Sequence, residues 1–176
     1  NSRLVSCGKE NIRFWRIRDQ GTIRGSAVVL NQHARNTVFT ALDFEWGCTA
    51  TGPYCPKGAN NERGIMNHVS PENESLKRVY VGSRHGMVFQ INYKTEQLEA
   101  TYRTNETAIQ SIAVNEAFCV TGSDDQFLRV WPLDFSEFFM EAKHEGSVMN
   151  VQISPDGLKV VCGTRNGSIG VLNKSN

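Results

Sequence analysis

The sequence lacks the features that mark proteins of membranes or of nucleic acids. No apolar run approaches the roughly 18 residues that a membrane-spanning helix needs, and the N-terminus does not resemble a signal peptide. Its 19 basic and 18 acidic residues give a net charge of +1, and they are scattered along the chain without a basic block. We therefore expect no membrane and no nucleic acid among its partners.

Cysteine pairs of the kind that bind metals are also missing. The five cysteines form no CxxC motif, and Cys48, Cys55 and His68 match no standard spacing of zinc ligands. A disulfide or a zinc site at these three residues is conceivable, but scattered cysteines favour a reduced, cytoplasmic chain. We expect no metal and no cofactor.

Motifs for catalysis are equally scarce. The adjacent carboxylates Asp124 and Asp125 lie on a tight turn, where neighbouring side chains point apart and cannot share acid–base chemistry. The run GCTATGPY at residues 47–54 approaches a phosphate-binding loop, but it ends without the required Lys and Ser or Thr. These absences predict a protein that is not an enzyme.

One pattern is repeated along the chain. Residues 118–135, FCVTGSDDQFLRVWPLDF, contain an apolar run, a Gly-Ser pair, a turn with two aspartates and a second apolar run that Pro132 closes. Two short strands joined by such a turn predict a β-hairpin. Similar patterns begin at Leu4, Arg78 and Lys159.

The spacing of the pattern indicates the architecture. Aligned on Gly8, Gly82, Gly122 and Gly163, the repeats are 74, 40 and 41 residues apart. A period near 40 with four strand-like runs in each unit is typical of a WD-repeat propeller blade. The sequence therefore predicts an all-β chain of roughly three consecutive blades, a fragment of a larger propeller.

This repeat spacing predicts two outer strands and one insertion, and it divides the chain into four segments. We expect outer strands at Ala27–Leu30 and Phe138–Glu141, and a Gly-, Asn- and Pro-rich insertion that is either a flexible surface loop or a partner-binding loop. The predicted segments are a partial blade with its outer strand at 1–36, a blade at 37–104 with the insertion at 47–77, a blade at 105–143 and a partial blade at 144–176.

The phrases ISPDGLKVVCGT and VTGSDDQFLRVW resemble WD repeats. In that family a His, a Ser or Thr, a turn Asp and a Trp form a buried hydrogen-bonded tetrad. The resemblance assigns Thr121, Asp125 and Trp131 to this motif in the third blade, where Asn105 and its neighbours stand in place of the His. It assigns His144 to the fourth blade, which lacks the other three members.

Longer phrases suggest a subfamily. LVSCGKENIRFW, FCVTGSDDQFLRVWPLDFSEFFMEAKHEGSV and SPDGL look like the large, multi-propeller WD-repeat proteins of centrioles, basal bodies and cilia. That resemblance implies a non-catalytic, microtubule-associated scaffold of the cytoskeleton, whose partners are tubulin or inner-scaffold ciliary proteins. The alternative is a soluble adaptor propeller, such as a substrate receptor of a ubiquitin ligase or a subunit of a trafficking complex.

The predicted recognition surface consists of the turns between the second and third strands of each blade. Such turns lie on one face of a propeller, and loops on a rigid scaffold commonly carry binding residues. Arginines there suit acidic partners because guanidinium groups bind carboxylates bidentately, although these side chains could also merely solvate the turns. The candidate residues are Lys9, Arg84, His85, Asp124, Gln126, Arg165 and Asn166.

Overall fold

The computed structural model describes residues 3–17, 21–30, 32, 35–46 and 76–173. These residues form strands and turns without an α-helix, which confirms the all-β prediction. The strands are β1 Arg3–Gly8, β2 Asn11–Ile17, β3 Ile23–Ala27, β4 Phe39–Trp46, β5 Leu76–Ser83, β6 Met87–Asn92, β7 Leu98–Arg103, β8 Ile109–Val114, β9 Phe118–Ser123, β10 Phe127–Pro132, β11 Met140–Lys143, β12 Val148–Ile153, β13 Lys159–Thr164 and β14 Ile169–Asn173.

The strands form four antiparallel sheets in chain order. The first sheet is β1-β2-β3, the second β4-β5-β6-β7, the third β8-β9-β10-β11 and the fourth β12-β13-β14. Consecutive strands pair as hairpins, and β8 of the third sheet contacts both β4 and β12. Successive antiparallel meanders of three or four strands, packed face to face, are the arrangement of propeller blades, as predicted. The residue limits proposed for the four blades stay a prediction.

The apolar core lies between successive sheets. Three apolar clusters fill the spaces between the sheets. The cluster between the first and second sheets includes Phe14 and Phe89, and the cluster between the second and third includes Tyr80 and Trp131. Val120 belongs to the cluster between the third and fourth sheets. Alternate residues of each strand point to opposite faces, so each inner sheet contributes to two of these clusters. The sheets therefore stabilise one another face to face.

Two glycines allow this close stacking. A Cβ atom on Gly82 would lie 2.7 Å from Cγ2 of Ile109, and one on Gly122 would lie 2.6 Å from Cγ1 of Val148. In each case the contacted side chain begins the first strand of the next sheet. Glycine is required there because any larger residue would push the next sheet away.

The alignment on Gly8 is wrong by one residue. Trp15 pairs with Leu4 and Ile12 with Cys7, just as Trp131 pairs with Cys119 and Leu128 with Gly122 in the third sheet. Cys7 therefore occupies the position of Gly122. The hairpin of the first sheet closes with only two residues, Lys9 and Glu10, so a count from the glycine shifts the register.

Two outer strands begin elsewhere than predicted. In place of Ala27–Leu30 the strand is β3 at Ile23–Ala27, and Val28 and Leu30 instead bury their side chains in the first core cluster. In place of Phe138–Glu141 the strand is β11 at Met140–Lys143. Outer strands have only one neighbouring strand, so their sequences carry a weak pattern.

The predicted insertion is shorter at its C-terminal end than expected. Leu76 and Lys77, assigned to it from the sequence, are the first residues of β5 and pair with the end of β4. The remaining positions of the insertion, together with Cys48, Cys55 and His68, lie outside the described residues.

Candidate protein-binding face

The turns between the second and third strands of the sheets form what we call the turn face. It consists of Lys9–Glu10, Arg84–Gly86, Asp124–Gln126 and Arg165–Gly167. Three of these turns are anchored identically, since the backbone N–H of the first turn residue donates to a carbonyl at the start of the same sheet. The acceptors are Val38 O for Arg84 at 2.8 Å, Ala108 O for Asp124 at 3.0 Å and Ser147 O for Arg165 at 2.9 Å.

The tightness of these turns depends on left-handed backbone positions. The last turn residue has a positive φ in each case, 57° at Glu10, 72° at Gly86, 74° at Gln126 and 85° at Gly167. Gln126 adopts this conformation without being a glycine, and its carbonyl accepts the N–H of His144 at 2.9 Å. The backbone of the turn face is thus fixed by the sheets.

The first two turns present cations that differ in their surroundings. Lys9 forms an isolated bridge with Val38 through its backbone, and Nε2 of His85 donates to the carbonyl of Asn36 at 3.2 Å. Arg84 is exposed, and its guanidinium makes no contact within the described residues. The side chain of Lys9 is exposed as well, so both cations can reach a partner, and the guanidinium of Arg84 offers more donors than the ammonium of Lys9.

Arg165 instead joins the third and fourth sheets. Its Nη2 lies 3.6 Å from Oδ1 of Asp124, an atom that is buried and accepts no hydrogen bond within the described part of the chain. The other oxygen, Oδ2, accepts from Nε2 of Gln110 at 2.9 Å. Asn166 donates to the carbonyl of Glu145 at 3.0 Å. This part of the turn face is therefore engaged within the chain.

The predicted tetrad is incomplete in the third sheet. Nε1 of Trp131 donates to Oγ1 of Thr121 at 2.9 Å, and Thr121 donates at 3.5 Å to Oδ1 of Asn105, which takes the place of the family's His. Asp125 lies apart from this chain of bonds. Its carboxylate accepts the N–H of Phe127 and a guanidinium N–H of Arg129, so it fixes the turn.

The sequence analysis missed an equivalent pair in the first sheet. Nε1 of Trp15 donates to Oγ of Ser6 at 2.8 Å, which matches the bond between Trp131 and Thr121. The shift in alignment at Gly8 concealed this pair. A register counted back from the tryptophan would have found it.

His144 lies in the link between β11 and β12, beside the thiol of Cys162 on β13. The distance from Sγ to Nε2 is 3.3 Å. Burial raises the pKa of the Cys162 thiol above its ordinary value, and it likewise raises the pKa of Cys7 and Cys119. A neutral thiol is a poor nucleophile, so this pair fills the core instead of forming a reactive site.

One carboxylate is buried at the opposite end of the strands from the turn face. Glu45 is 2% exposed; it accepts from Arg78 at 3.3 Å and from the hydroxyl of Tyr80 at 3.2 Å. Burial, followed by the charge of Glu45, raises the pKa of Tyr80. Such a satisfied network stabilises the second sheet and leaves Glu45 no room for a ligand.

The described residues hold no group of three or more His, Cys, Asp or Glu side chains placed to bind a metal. Within the same residues, no helix combines the length and apolar character that crossing a membrane requires.

Comparisons with known proteins place these features in a family. The model of the WD domain, G-beta repeat, matches residues 96–132 and 139–172. The chain is 37% identical to WD repeat-containing protein 90 of Xenopus tropicalis, over 98% of this chain and 9% of that protein. It is 35% identical to Centriole proteome protein 16 of Chlamydomonas reinhardtii, over 96% of this chain and 8% of that protein.

The human protein named WD repeat-containing protein 90 is 32% identical, over 98% of this chain and 10% of its own length. The chain thus spans a tenth or less of these relatives. It also superposes on a chain in the crystal structure of the mitotic checkpoint complex with a TM-score of 0.69 and 13% identity, over 96% of this chain and 44% of that one. The repeats, the stacked antiparallel sheets and these matches together show that the chain belongs to the WD-repeat β-propeller family.

Proposed function

We propose that the chain is part of a non-catalytic protein-interaction scaffold, a microtubule-associated structural component of centrioles, basal bodies or cilia. The observation that carries this proposal is the similarity along 96% of the chain to a protein named Centriole proteome protein 16. The proposed partners are tubulin in microtubules or inner-scaffold ciliary proteins, and the proposed location is the cytoskeleton within the cytoplasm.

The geometry of the described residues supports a binding role over catalysis. The turn face is rigid, because three of its turns donate a backbone N–H to the residue that precedes the first strand of their own sheet. Its side chains are largely polar and solvent-facing, while the three described thiols are held neutral by burial. Rigid loops that display charged groups recognise other proteins well because little conformational entropy is lost on binding.

Arg84 is the residue to which we assign the main contact with an acidic partner. Its guanidinium is exposed, and the anchored turn holds its backbone in place. Arg165 contributes less, because part of its charge is already balanced by Asp124. Lys9, His85, Gln126 and Asn166 are proposed to border the contact.

The test is co-pelleting of the full-length protein with microtubules at low and at physiological salt. We expect Arg84→Glu to weaken pelleting about fivefold, because reversing one solvent-exposed contact charge changes the binding energy by about 1 kcal/mol. The control is Lys159→Glu, which makes the same change of charge at an exposed position at the far end of the fourth sheet. It should leave pelleting unchanged.

Added salt should weaken the binding of the unaltered protein, since exposed charges are screened. Equal pelleting of the two variants would remove Arg84 from the proposed contact. If the folded full-length protein fails to pellet at all, direct microtubule binding is wrong, and the soluble adaptor becomes the better interpretation.

A further inference from the structure

Three arginines face one another across the first sheet. Arg3 of β1 is directly opposite Arg16 of β2, and Arg16 is directly opposite Arg24 of β3. Residues directly opposite in antiparallel strands project from the same face of the sheet, with neighbouring Cβ atoms about 5 Å apart. We call these residues the arginine row. Like charges placed in this way repel one another, so the row destabilises the isolated sheet.

Among the described residues of the second sheet, one carboxylate contacts the row. Glu96, in the turn between β6 and β7, accepts from Nη2 of Arg16 at 2.6 Å and from the hydroxyl of Ser26. Its burial opposes ionisation, but these two hydrogen bonds and the charges of Arg16 and Arg3 outweigh it and lower the pKa of Glu96. Glu96 is therefore ionised at neutral pH and balances about one of the three positive charges.

Within the described residues, the other two guanidinium groups form no ion pair with a carboxylate. Arg3 donates to the carbonyl of Tyr93 at 3.3 Å and lies over the ring of the same residue at 5.5 Å, both uncharged contacts. Arg24 is exposed and has no side-chain contact within the described residues. Even Arg16 keeps 54% of its side chain exposed while it binds Glu96. The row can thus accept further negative charge.

The row lies away from the turn face. Arg3 begins β1 and Arg16 is next to the end of β2, whereas the turn Lys9–Glu10 joins the other ends of the same strands. The lysine Lys94, in the same turn as Glu96, adds another positive charge nearby. An acidic ligand at the row would therefore leave the turn face free for a second partner.

We propose that the arginine row binds an extended acidic segment of a partner protein. Three neighbouring strands span about 10 Å, and alternate side chains of an extended segment repeat about every 7 Å on one side. Two carboxylates on alternate residues are therefore about 3 Å closer together than the outer strands of the row, a difference that the long arginine side chains can bridge. Guanidinium groups bind carboxylates through paired hydrogen bonds, which gives such a segment a defined register.

A protein segment fits the row better than a nucleic acid does. The net charge of the chain is only +1, and nucleic-acid-binding proteins carry an extended basic surface that neutralises many phosphates. The row offers a short, local charge on a sheet face. This inference concerns a surface that the microtubule proposal does not use, so it stands or falls independently of that proposal.

The experiment measures fluorescence anisotropy of a labelled peptide of alternating glutamate and serine, titrated with the full-length protein. We expect saturable binding that weakens with added salt, and a loss of about tenfold in affinity for Arg24→Glu. Arg24 is the right residue to change because it supports no contact within the described residues, so folding should be preserved. Equal thermal unfolding of the variant and the unaltered protein verifies this.

The matched control is Arg13→Glu. Arg13 lies on β2 like Arg16, but it projects from the other face of the sheet, 5.9 Å from the ring of Trp15. It should change the affinity by less than about twofold, since the charge is on the wrong side of the sheet. Equal losses in both variants, or no binding of the peptide, would overturn the proposal. Tighter binding of single-stranded DNA than of the peptide would replace the protein segment with a nucleic acid.

Discussion

The stacking of the third and fourth sheets depends on Gly122, and we expect Gly122→Ala to destabilise the protein. An added Cβ would lie 2.6 Å from Cγ1 and 3.0 Å from the carbonyl oxygen of Val148, and 3.0 Å from Cγ1 of Val151. One of these atoms is backbone, and both residues belong to β12, the first strand of the fourth sheet. The clash therefore cannot be relieved by rotating one side chain; the sheet itself must move.

The expected size of the effect follows from two opposing terms. Overpacking of this kind costs about 1–3 kcal/mol. Replacement of glycine by alanine restricts the unfolded chain and returns about 0.4–1 kcal/mol where the native conformation is compatible. Gly8 provides the control, because no atom of the described residues beyond its chain neighbours lies within 4 Å of its added Cβ. Gly8→Ala should only restrict the unfolded chain, without overpacking. The free energies of unfolding of the two variants should therefore differ by about 1–3 kcal/mol.

The assay is urea unfolding of the 176-residue chain, followed by tryptophan fluorescence and repeated as a thermal scan. For a chain of this size each kcal/mol shifts the melting temperature by about 2–4 °C, so the two variants should melt several degrees apart. Gly122→Ala should melt lower than the unaltered protein and Gly8→Ala should not. Equal midpoints for the two variants would refute the idea that β12 packs directly on Gly122.

Two further changes test the hydrogen bonds of the fold. Thr121→Val leaves the buried N–H of Trp131 without its acceptor and should cost about 1–3 kcal/mol in urea unfolding, whereas Ser6→Ala should cost less because its bond to a tryptophan is exposed. A larger loss for Ser6→Ala would contradict this. The pKa of Glu96 is lowered on folding, so its contribution to stability is present above its unfolded pKa and is lost as pH falls through the folded value. Glu96→Gln should therefore flatten the acid side of the stability profile measured between neutral and acidic pH, and an unchanged profile would show that its ion pair contributes nothing.

The sequence predicted the turn chemistry well because a turn depends on a few adjacent residues. The sequence placed Asp125 in the tight turn of the third sheet, and its carboxylate accepts the N–H of Phe127 there. The period of glycines likewise located Gly82 and Gly122, which contact the next sheet. The glycine spacing failed at Gly8, because the first hairpin has a turn of two residues where the corresponding hairpins of the second and third sheets have three.

The outer strands were less predictable for a related reason. The apolar run Ala27–Leu30 resembles a strand, yet β3 ends at Ala27. Val28 still donates its N–H to the carbonyl of Ile12 on β2, and Val28 and Leu30 bury their side chains in the core between the first two sheets. An apolar run shows which side chains can be buried, and it does not show where the strand ends. Which residues of an outer strand form backbone hydrogen bonds depends on the strand next to it in the sheet.

The sequence by itself determined the β-class, the repeated hairpins and the chemistry of the turns, since these depend on local alternation and on a few turn residues. Only the tertiary structure decided which charges meet. Asp124 and Arg165 are 41 residues apart and pair across two sheets, and the arginine row exists only because the register of β1, β2 and β3 aligns Arg3, Arg16 and Arg24. A shift of one residue in that register would turn side chains to the opposite face. Contacts between separate strands depend on how the sheets pair and stack, which no short stretch of sequence records.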